Sequence, residues 1–181
     1  MKMKLSAVAI IGAVLLLAGC STANTAASPS ATPSPSNPYG AGFTVDPPKA
    51  NDVVLTVAGA KSIDYTMGEL KKLATVKIDI MEPFAKKQQS FEGVPLQTLL
   101  DASGIKVGEK VNTIALNEYE FADTVANFEN NHALLAVTRD GGDIPMDQGG
   151  PIRIVFNSDS KYFTYLDAWN WSLRSIKVTT K

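Results

Sequence analysis

Two residue types with broad chemical reactivity occur only once in this chain, as Cys20 and His132. A single cysteine cannot form an intrachain disulfide, and a single histidine disfavours a zinc site. If the thiol of Cys20 is itself modified, cysteine nucleophiles and thiolate metal ligands are excluded as well. The reactive side chains therefore argue against thiol and zinc catalysis.

The residues before Cys20 are typical of an export signal. A start with two lysines precedes an apolar run at residues 8–18, which is too short to span a bilayer. The run leads into Leu-Ala-Gly-Cys, ending at Cys20, which resembles the lipobox of bacterial lipoproteins. The resemblance implies that residues 1–19 are removed and that Cys20 receives palmitate-type acyl chains. The chain would then be anchored on the extracytoplasmic face of the cell membrane, with an outer membrane as the alternative. A plain signal peptide with a chance cysteine is the other interpretation.

The segment after Cys20 has the composition of a disordered stalk. Residues 21–38 contain only Ser, Thr, Ala, Asn and Pro, and no charged residue appears between Cys20 and Asp46. Such a stretch cannot bury a core, so residues 20–50 are predicted to be a stalk, with a segment folded onto the domain as the alternative. Residues 51–181 are predicted to form one domain. Its charges are scattered, without the basic stripe that nucleic-acid binding requires.

Short strands alternate with short helices in the predicted domain. Thr66 and Glu69 form a capping box that predicts a helix through Leu73. Pro95 is predicted to stand in the first turn of a second helix, which Gly104 ends. Apolar and alternating patterns predict strands over residues 53–57, 76–80, 88–91, 111–116, 133–138, 152–156 and 171–178.

Several polar and aromatic residues are candidates for a binding cleft. Arg153 stands in an apolar strand, so its guanidinium either meets an anionic ligand in a cleft or pairs with a carboxylate at the sheet edge, and pairing is favoured. Trp169 and Trp171 share a face, where they either line a cleft or pack, and packing is favoured. Local contacts are favoured over a pocket role for Asn117, Tyr119 and His132. The spacing of three acidic residues fails the pattern of a calcium loop and indicates a turn: Asp140, Asp143 and Asp147.

Six groups of residues follow one another in a characteristic order. They are Phe91-Glu92-Gly93-Val94-Pro95-Leu96 with Leu99-Leu100, Ala115-Leu116-Asn117-Glu118-Tyr119, Leu134-Leu135-Ala136-Val137 with Asp140-Gly141, Gly149-Gly150-Pro151-Ile152-Arg153-Ile154-Val155, Trp169-Asn170-Trp171-Ser172-Leu173, and Ile176-Lys177-Val178. Taken in this order they resemble the oxidoreductase molybdopterin-binding domain, over nearly all of residues 52–179. The resemblance implies the sulfite-oxidase fold, an α+β domain with a mixed β-sheet and short helices.

The enzymes of this family bind molybdenum through a dithiolene pterin and one protein cysteine, at the end of the strand that precedes the Gly-Val-Pro-Leu segment. The resemblance places Ile80 or Met81 near that position, and a thioether is a poor substitute for a thiolate. Asp79 is predicted to face away from the core, and Glu82, which precedes Pro83, is predicted to be solvated. If one of these two carboxylates faces the cleft, Glu82 is the better candidate. The departure resembles small exported members of the family that also lack the cysteine. No cofactor is therefore expected, with molybdopterin as the alternative.

Three hypotheses for function follow. The first is a non-catalytic module, anchored in the membrane through lipid on Cys20, that binds a small ligand or an envelope protein in the inherited cleft. The second is a molybdopterin-dependent oxidoreductase with no protein thiolate on its metal, and the third is a purely structural lipoprotein. The residues predicted to line the cleft are Asn117, Tyr119, Arg153 and Trp171.

Overall fold

The computed structural model of the protein describes residues 46–179. The predictions for the export signal, for Cys20 and for the stalk up to residue 45 concern residues outside this range. Within the described range, ten β-strands and three α-helices follow one another as short elements. None of the helices in residues 46–179 is long and apolar enough to cross a membrane.

The first sheet is mixed and brings the two ends of the domain together. Its strands are β1 (Val53–Ala58), β2 (Ser62–Thr66), β5 (Lys110–Ala115), β6 (Glu120–Thr124) and β10 (Leu173–Val178), in the order β2-β1-β10-β5-β6. Strands β1 and β10 run parallel, and the other neighbours are antiparallel. The last strand of the chain therefore occupies the centre of the sheet, beside the first.

The second sheet is antiparallel and is built from the middle of the chain. Its strands are β3 (Val76–Glu82), β4 (Lys87–Pro95), β7 (Leu134–Arg139), β8 (Gly142–Asp143) and β9 (Arg153–Val155). The order is β3-β4-β7-β8, and β9 also pairs with β7. Consecutive strands β3 and β4 form a hairpin, so the turn between them lies at one end of the sheet.

The three helices are short and begin at well-defined residues. Helix α1 (Met67–Leu73) has the predicted capping box, in which Thr66 Oγ1 accepts from the Glu69 backbone N–H and Glu69 accepts from Thr66. Helix α2 (Leu96–Ala102) follows Pro95 directly, and α3 (Val125–Asn130) is capped by Thr124. Each helix buries apolar residues against the sheets, which supplies the stability that such short helices lack on their own.

One continuous apolar core includes side chains from both sheets. Leu55 and Ile176 contribute from the first sheet, and Phe91 and Leu135 contribute from the second. All four side chains are fully buried. Packing the two sheets on a shared core fixes the loops at their ends relative to one another, and those loops carry the candidate site.

The predicted strands are all present, although their ends differ. The last strand begins at Leu173 rather than residue 171, because Ser172 has a positive φ of 50° that interrupts the extended backbone. Pro95 is the last residue of β4 rather than part of a helix. Strands β2, β6 and β8 and helix α3 were not predicted, and the two residues of β8 were predicted to belong to a turn. Strands β2 and β6 lie at the edges of the first sheet, where pairing with β1 and β5 forms them despite their weak apolar patterns.

Candidate functional site

Arg153 and Glu82 form a buried ion pair. Arg153 begins β9 and Glu82 ends β3, and Nη2 of Arg153 donates to Oε1 of Glu82 over 3.0 Å. Both side chains are fully buried. Arg153 therefore pairs with a carboxylate of the protein, in the interior rather than at an exposed sheet edge. The prediction that Glu82 is solvated is wrong, because the alternation of β3 places it on the same face as buried Ile80.

The carboxylate of Glu82 also determines the shape of the turn between β3 and β4. Its Oε2 accepts from the backbone N–H of Phe84 at 2.9 Å and from that of Ala85 at 2.6 Å. The N–H of Lys86, whose φ is 52°, donates to the carbonyl of Glu82 and closes the turn. A buried carboxylate with these partners is well satisfied, and the turn that it holds presents Phe84 to Arg153.

Four aromatic rings surround the guanidinium of Arg153. Its Cζ lies 4.5 Å from the ring centroid of Trp171, and 5.7 to 5.9 Å from those of Phe84, Phe91 and Trp169. Distances below about 6 Å allow cation–π attraction, which is stronger when the cation is desolvated. The positive charge is thus compensated by one carboxylate and by the rings.

Three of these rings also line a cavity of about 250 Å³. The ring of Phe84 packs edge-on against both indoles, with centroids 4.5 Å from Trp171 and 5.9 Å from Trp169. The residues that line this cavity, called the aromatic cavity below, are Phe84, Asn117, Tyr119, Leu166, Asp167, Trp169 and Trp171. Arg153 is not among them, so the rings separate the ion pair from the cavity.

Asn170 ties the segment between the two tryptophans to both sheets. Its side-chain amide donates to the carbonyl of Thr113 at 2.9 Å and to the hydroxyl of Thr113 at 3.0 Å, on strand β5. The backbone carbonyl of Asn170 accepts from the N–H of Ile154 on β9. Because Asn170 is fully buried, these bonds hold Trp169 and Trp171 at the boundary between the sheets.

Gly149 allows the backbone to approach the indole of Trp171. A Cβ at this position would lie 3.1 to 3.3 Å from three atoms of Trp171, and the φ of Gly149 is +87°. A side chain would therefore meet both a crowded indole and a disfavoured backbone conformation.

The remaining walls of the cavity come from a turn and a short helical segment. Asn117 and Tyr119 lie in the turn between β5 and β6, where the Asn117 side chain accepts from the N–H of Tyr119. The Tyr119 hydroxyl donates to the carbonyl of Asp167 at 3.0 Å, in the single-turn helix Leu166–Ala168. Burial, and then the charge of Asp167 and the neighbouring Tyr165, raise the pKa of Tyr119 above its ordinary value. Asp167 therefore brings a negative charge close to this hydroxyl.

Comparison with known proteins identifies the domain. The model of the oxidoreductase molybdopterin-binding domain family matches residues 42–180. The chain belongs to this family. Among solved structures, the sulfane dehydrogenase SoxCD from Paracoccus pantotrophus has a similar fold, with a TM-score of 0.54 and 16% identity. The match covers 74% of this chain and 39% of that one, so this chain corresponds to well under half of the SoxCD chain. No curated protein matches this chain.

The comparisons confirm the predicted fold class. A mixed sheet and an antiparallel sheet with short helices agree with a sulfite-oxidase-like molybdopterin-binding domain. In this member of the family, the positions near which the resemblance places a cysteine carry buried Ile80 and Met81, which is 55% exposed, and buried Glu82 follows. The described residues contain no cluster of three or more His, Cys, Asp and Glu side chains that could hold a metal ion.

The structure of this molybdopterin-binding domain brings together three of the four predicted cleft residues. Asn117, Tyr119 and Trp171 line the aromatic cavity, and Arg153 lies behind its rings. His132 does not join them, since it is exposed and lines two other cavities. Of the three aspartates predicted to be turn residues, Asp140 lies in the turn between β7 and β8. Asp143 lies in β8 and pairs with Lys71, and Asp147 lies in the single-turn helix Met146–Gln148.

The predicted cleft residues did not include Glu82, Phe84, Leu166 or Asp167. A signal for Glu82 was present, because it continues the alternation of Ile78 and Ile80. The other three lie in a turn or a single-turn helix, which have no period that would reveal a shared surface.

Proposed function

We propose that this molybdopterin-binding-type domain is a non-catalytic binding module, displayed on the extracytoplasmic face of the cell membrane by lipid on Cys20. The observation that carries the proposal is the ion pair of Glu82 and Arg153. The enzymes that the chain resembles place their molybdenum-ligating cysteine at the corresponding strand end. Here that strand ends in a carboxylate that is satisfied by the protein's own groups.

The sulfur donors near this strand end do not fit a molybdenum–dithiolene centre. Met81 offers only a neutral thioether, and the alternation of β3 places it on the opposite face from Glu82. Its 55% exposure supports this orientation toward solvent. The one cysteine of the chain, Cys20, lies far before the domain in sequence.

The charge and size of the aromatic cavity do not fit the pterin cofactor either. That cofactor carries an anionic phosphate, whereas the described residues that line the cavity include the acidic Asp167 and no positively charged residue. Arg153, the nearest guanidinium, is engaged with Glu82 behind the rings. The cavity of about 250 Å³ is also smaller than the roughly 300–1,000 Å³ typical of pockets for larger ligands.

The proposed location depends on the segment around Cys20. The lipobox-like Leu-Ala-Gly-Cys after a signal-length apolar run supports lipidation, and the charge-free segment that follows supports a stalk. The partners proposed are the membrane, through the lipid, and a small ligand or an envelope protein at the aromatic cavity. The scattered charges support a function without nucleic acid.

The second candidate function is a molybdopterin-dependent oxidoreductase without a protein thiolate. Membership of the family favours it, because the family is named for binding this cofactor. The two candidates differ in one measurable property, the molybdenum content of the mature protein.

Elemental analysis after expression in a host that makes molybdopterin tests the proposal. We expect molybdenum at the level of a blank prepared from a host that lacks the cofactor pathway, and no pterin fluorescence after denaturation. A thiolate-ligated enzyme of the same family, expressed in parallel, shows that the host supplies the cofactor. Near-stoichiometric molybdenum that survives gel filtration would overturn the proposal in favour of the oxidoreductase.

A further inference from the structure

The aromatic cavity combines ring surfaces with a negative charge. Phe84, Tyr119, Trp169 and Trp171 are the aromatic lining residues, and Asp167, whose charge acts on Tyr119, is the one acidic residue among the described lining residues. The face of an aromatic ring is the negative part of its quadrupole, so rings that turn their faces toward one space attract a cation. Aromatic groups and a carboxylate together therefore favour a positively charged occupant.

The positive charge of Arg153 does not oppose such an occupant strongly. Its guanidinium is 4.5 Å from the Trp171 centroid, but Glu82 balances its charge from 3.0 Å away. Both members of the pair are fully buried, so the rings cover a group of no net charge. The charge that the cavity itself presents comes from Asp167.

The environment of Tyr119 indicates where the negative potential lies. Its hydroxyl is bonded to the Asp167 carbonyl, and the Asp167 charge is the second cause, after burial, of its raised pKa. Asn117 and the Tyr119 hydroxyl offer polar atoms beside this carboxylate. An occupant could therefore place a cationic head against the rings and a hydroxyl or carbonyl group against these polar atoms.

We propose that the aromatic cavity binds a small quaternary-ammonium compound, a cation with an apolar surface that rings hold and that a carboxylate attracts. This inference rests on the proposed function, since it names the ligand class of the same binding module. The volume of about 250 Å³ suits a small cationic head group rather than a larger ligand. An anion is disfavoured, because no described lining residue is positively charged.

The chain offers a specific optical probe for this site. It contains two tryptophans, Trp169 and Trp171, and both line the cavity. Tryptophan fluorescence of the full-length protein in an uncharged maltoside detergent therefore reports on this cavity alone. Choline is the probe, and its neutral isostere, in which carbon replaces the quaternary nitrogen, is the matched control.

We expect saturable fluorescence changes with choline and with tetramethylammonium, and binding of the neutral isostere that is about tenfold weaker or more. Asp167→Asn should weaken choline binding by about fivefold and leave the isostere unaffected, because the backbone carbonyl that holds Tyr119 remains. Tyr119→Leu removes one ring at a position that is 42% exposed and should also weaken choline binding without unfolding the domain. Asp79→Asn, which removes an exposed carboxylate on β3, should change neither affinity.

Three results would overturn this inference: equal affinity for choline and its isostere, unchanged choline binding in Asp167→Asn, or no response to choline at millimolar concentration. Calorimetry of the same titrations excludes quenching without binding. If one of these three results is obtained with protein that contains no molybdenum, the proposal of a binding module is retained and only its ligand class is rejected. Molybdenum in the protein would reject the binding module itself, whatever choline does.

Discussion

Nη2 of Arg153 donates to Oε1 of Glu82 across 3.0 Å, and neither side chain is exposed to solvent. The two residues are 71 positions apart in sequence, and β4 and β7 lie between their strands in the sheet. Removing two charges from water is costly, and their attraction offsets that cost only when the pair is complete. The pair therefore adds little net stability, and its main effect is to fix the position of the turn that contains Phe84 relative to β9.

Removing one member of this pair should destabilise the domain strongly. Glu82→Gln leaves a buried guanidinium without its counter-charge and should lower the free energy of unfolding by about 3–5 kcal/mol. Urea unfolding followed by circular dichroism measures the loss. Asp79→Asn, on the exposed face of the same strand, is the control and should change it by less than about 0.5 kcal/mol. A double-mutant cycle with Glu82→Leu and Arg153→Met measures the coupling of the pair. The double variant should lose less free energy of unfolding than the two single variants lose in sum, and additive losses would contradict the coupling.

The phenol of Tyr119 should titrate above the ordinary tyrosine range. Burial is the main cause, followed by Asp167 and Tyr165, so Asp167→Asn should lower the Tyr119 pKa part of the way toward its usual value. Because the folded pKa is the higher one, this tyrosine contributes stability that is present below the unfolded pKa and is lost as pH rises through the folded pKa. NMR of isotope-labelled tyrosine resolves this residue, and an unchanged pKa in Asp167→Asn would argue against a carboxylate at the cavity wall.

Gly149→Ala should strain the cavity more than an equivalent change elsewhere. The new Cβ would lie 3.1 Å from the nearest Trp171 atom, and the φ of residue 149 is +87°. We therefore expect the free energy of unfolding to fall by about 1–3 kcal/mol and the tryptophan fluorescence to change. Gly141→Ala is the matched control, because its φ is +79° but no atom lies within 4 Å of the added Cβ. Equal fluorescence changes in the two variants would show that Gly149 does not position the indole.

Cys20→Ser should release the protein from the membrane fraction. The chain has no second thiol that could carry a thioether-linked lipid. Metabolic labelling with a radioactive fatty acid, followed by fractionation, measures both lipid and location. Lipid that remains attached to the variant would refute anchoring through Cys20, and Ser21→Ala controls for a change next to the cleavage site.

A fragment of residues 51–181 should fold cooperatively, because it contains the whole apolar core. Its unfolding temperature should not depend on reductant, because it contains no cysteine. A fragment that begins at residue 46 should be more stable by about 1 kcal/mol, since the Ala50 carbonyl accepts from the N–H of Gly68 at 2.8 Å. Thermal unfolding with and without a reducing agent is the measurement. A midpoint temperature that shifts when the reducing agent is added would contradict this prediction.

Local features of this fold were predictable because they depend on residues close together in the chain. The capping box of Thr66 and Glu69 forms both of its bonds, at 3.2 and 2.8 Å. Gly104 has a positive φ of 74° just after the second helix, as its position in sequence predicted. Strands β2 and β6 were missed for the opposite reason: their stability comes from pairing with β1 and β5 rather than from their own patterns.

The candidate site was predictable only in part. Asn117, Tyr119 and Trp171 came from segments that match the family, and the structure places all three around one cavity. Phe84 and Asp167 complete that cavity from a hairpin turn and a single-turn helix, elements whose side-chain directions follow no regular period. His132 lines two other cavities. It was considered only for its hydrogen-bonding groups, and the type of a residue does not show where it lies in the fold.

The sequence by itself determined most of the strands, the first two helices, the family, and the lack of a thiol in the folded domain, because these depend on residue identity and local period. Only the tertiary structure decided which carboxylate Arg153 meets. The alternation of β3 placed Glu82 on a buried face, but burial of a carboxylate is tolerated only when a counter-charge reaches it. That counter-charge arrives on β9 through the pairing of β3, β4, β7 and β9, a long-range arrangement that no local pattern encodes.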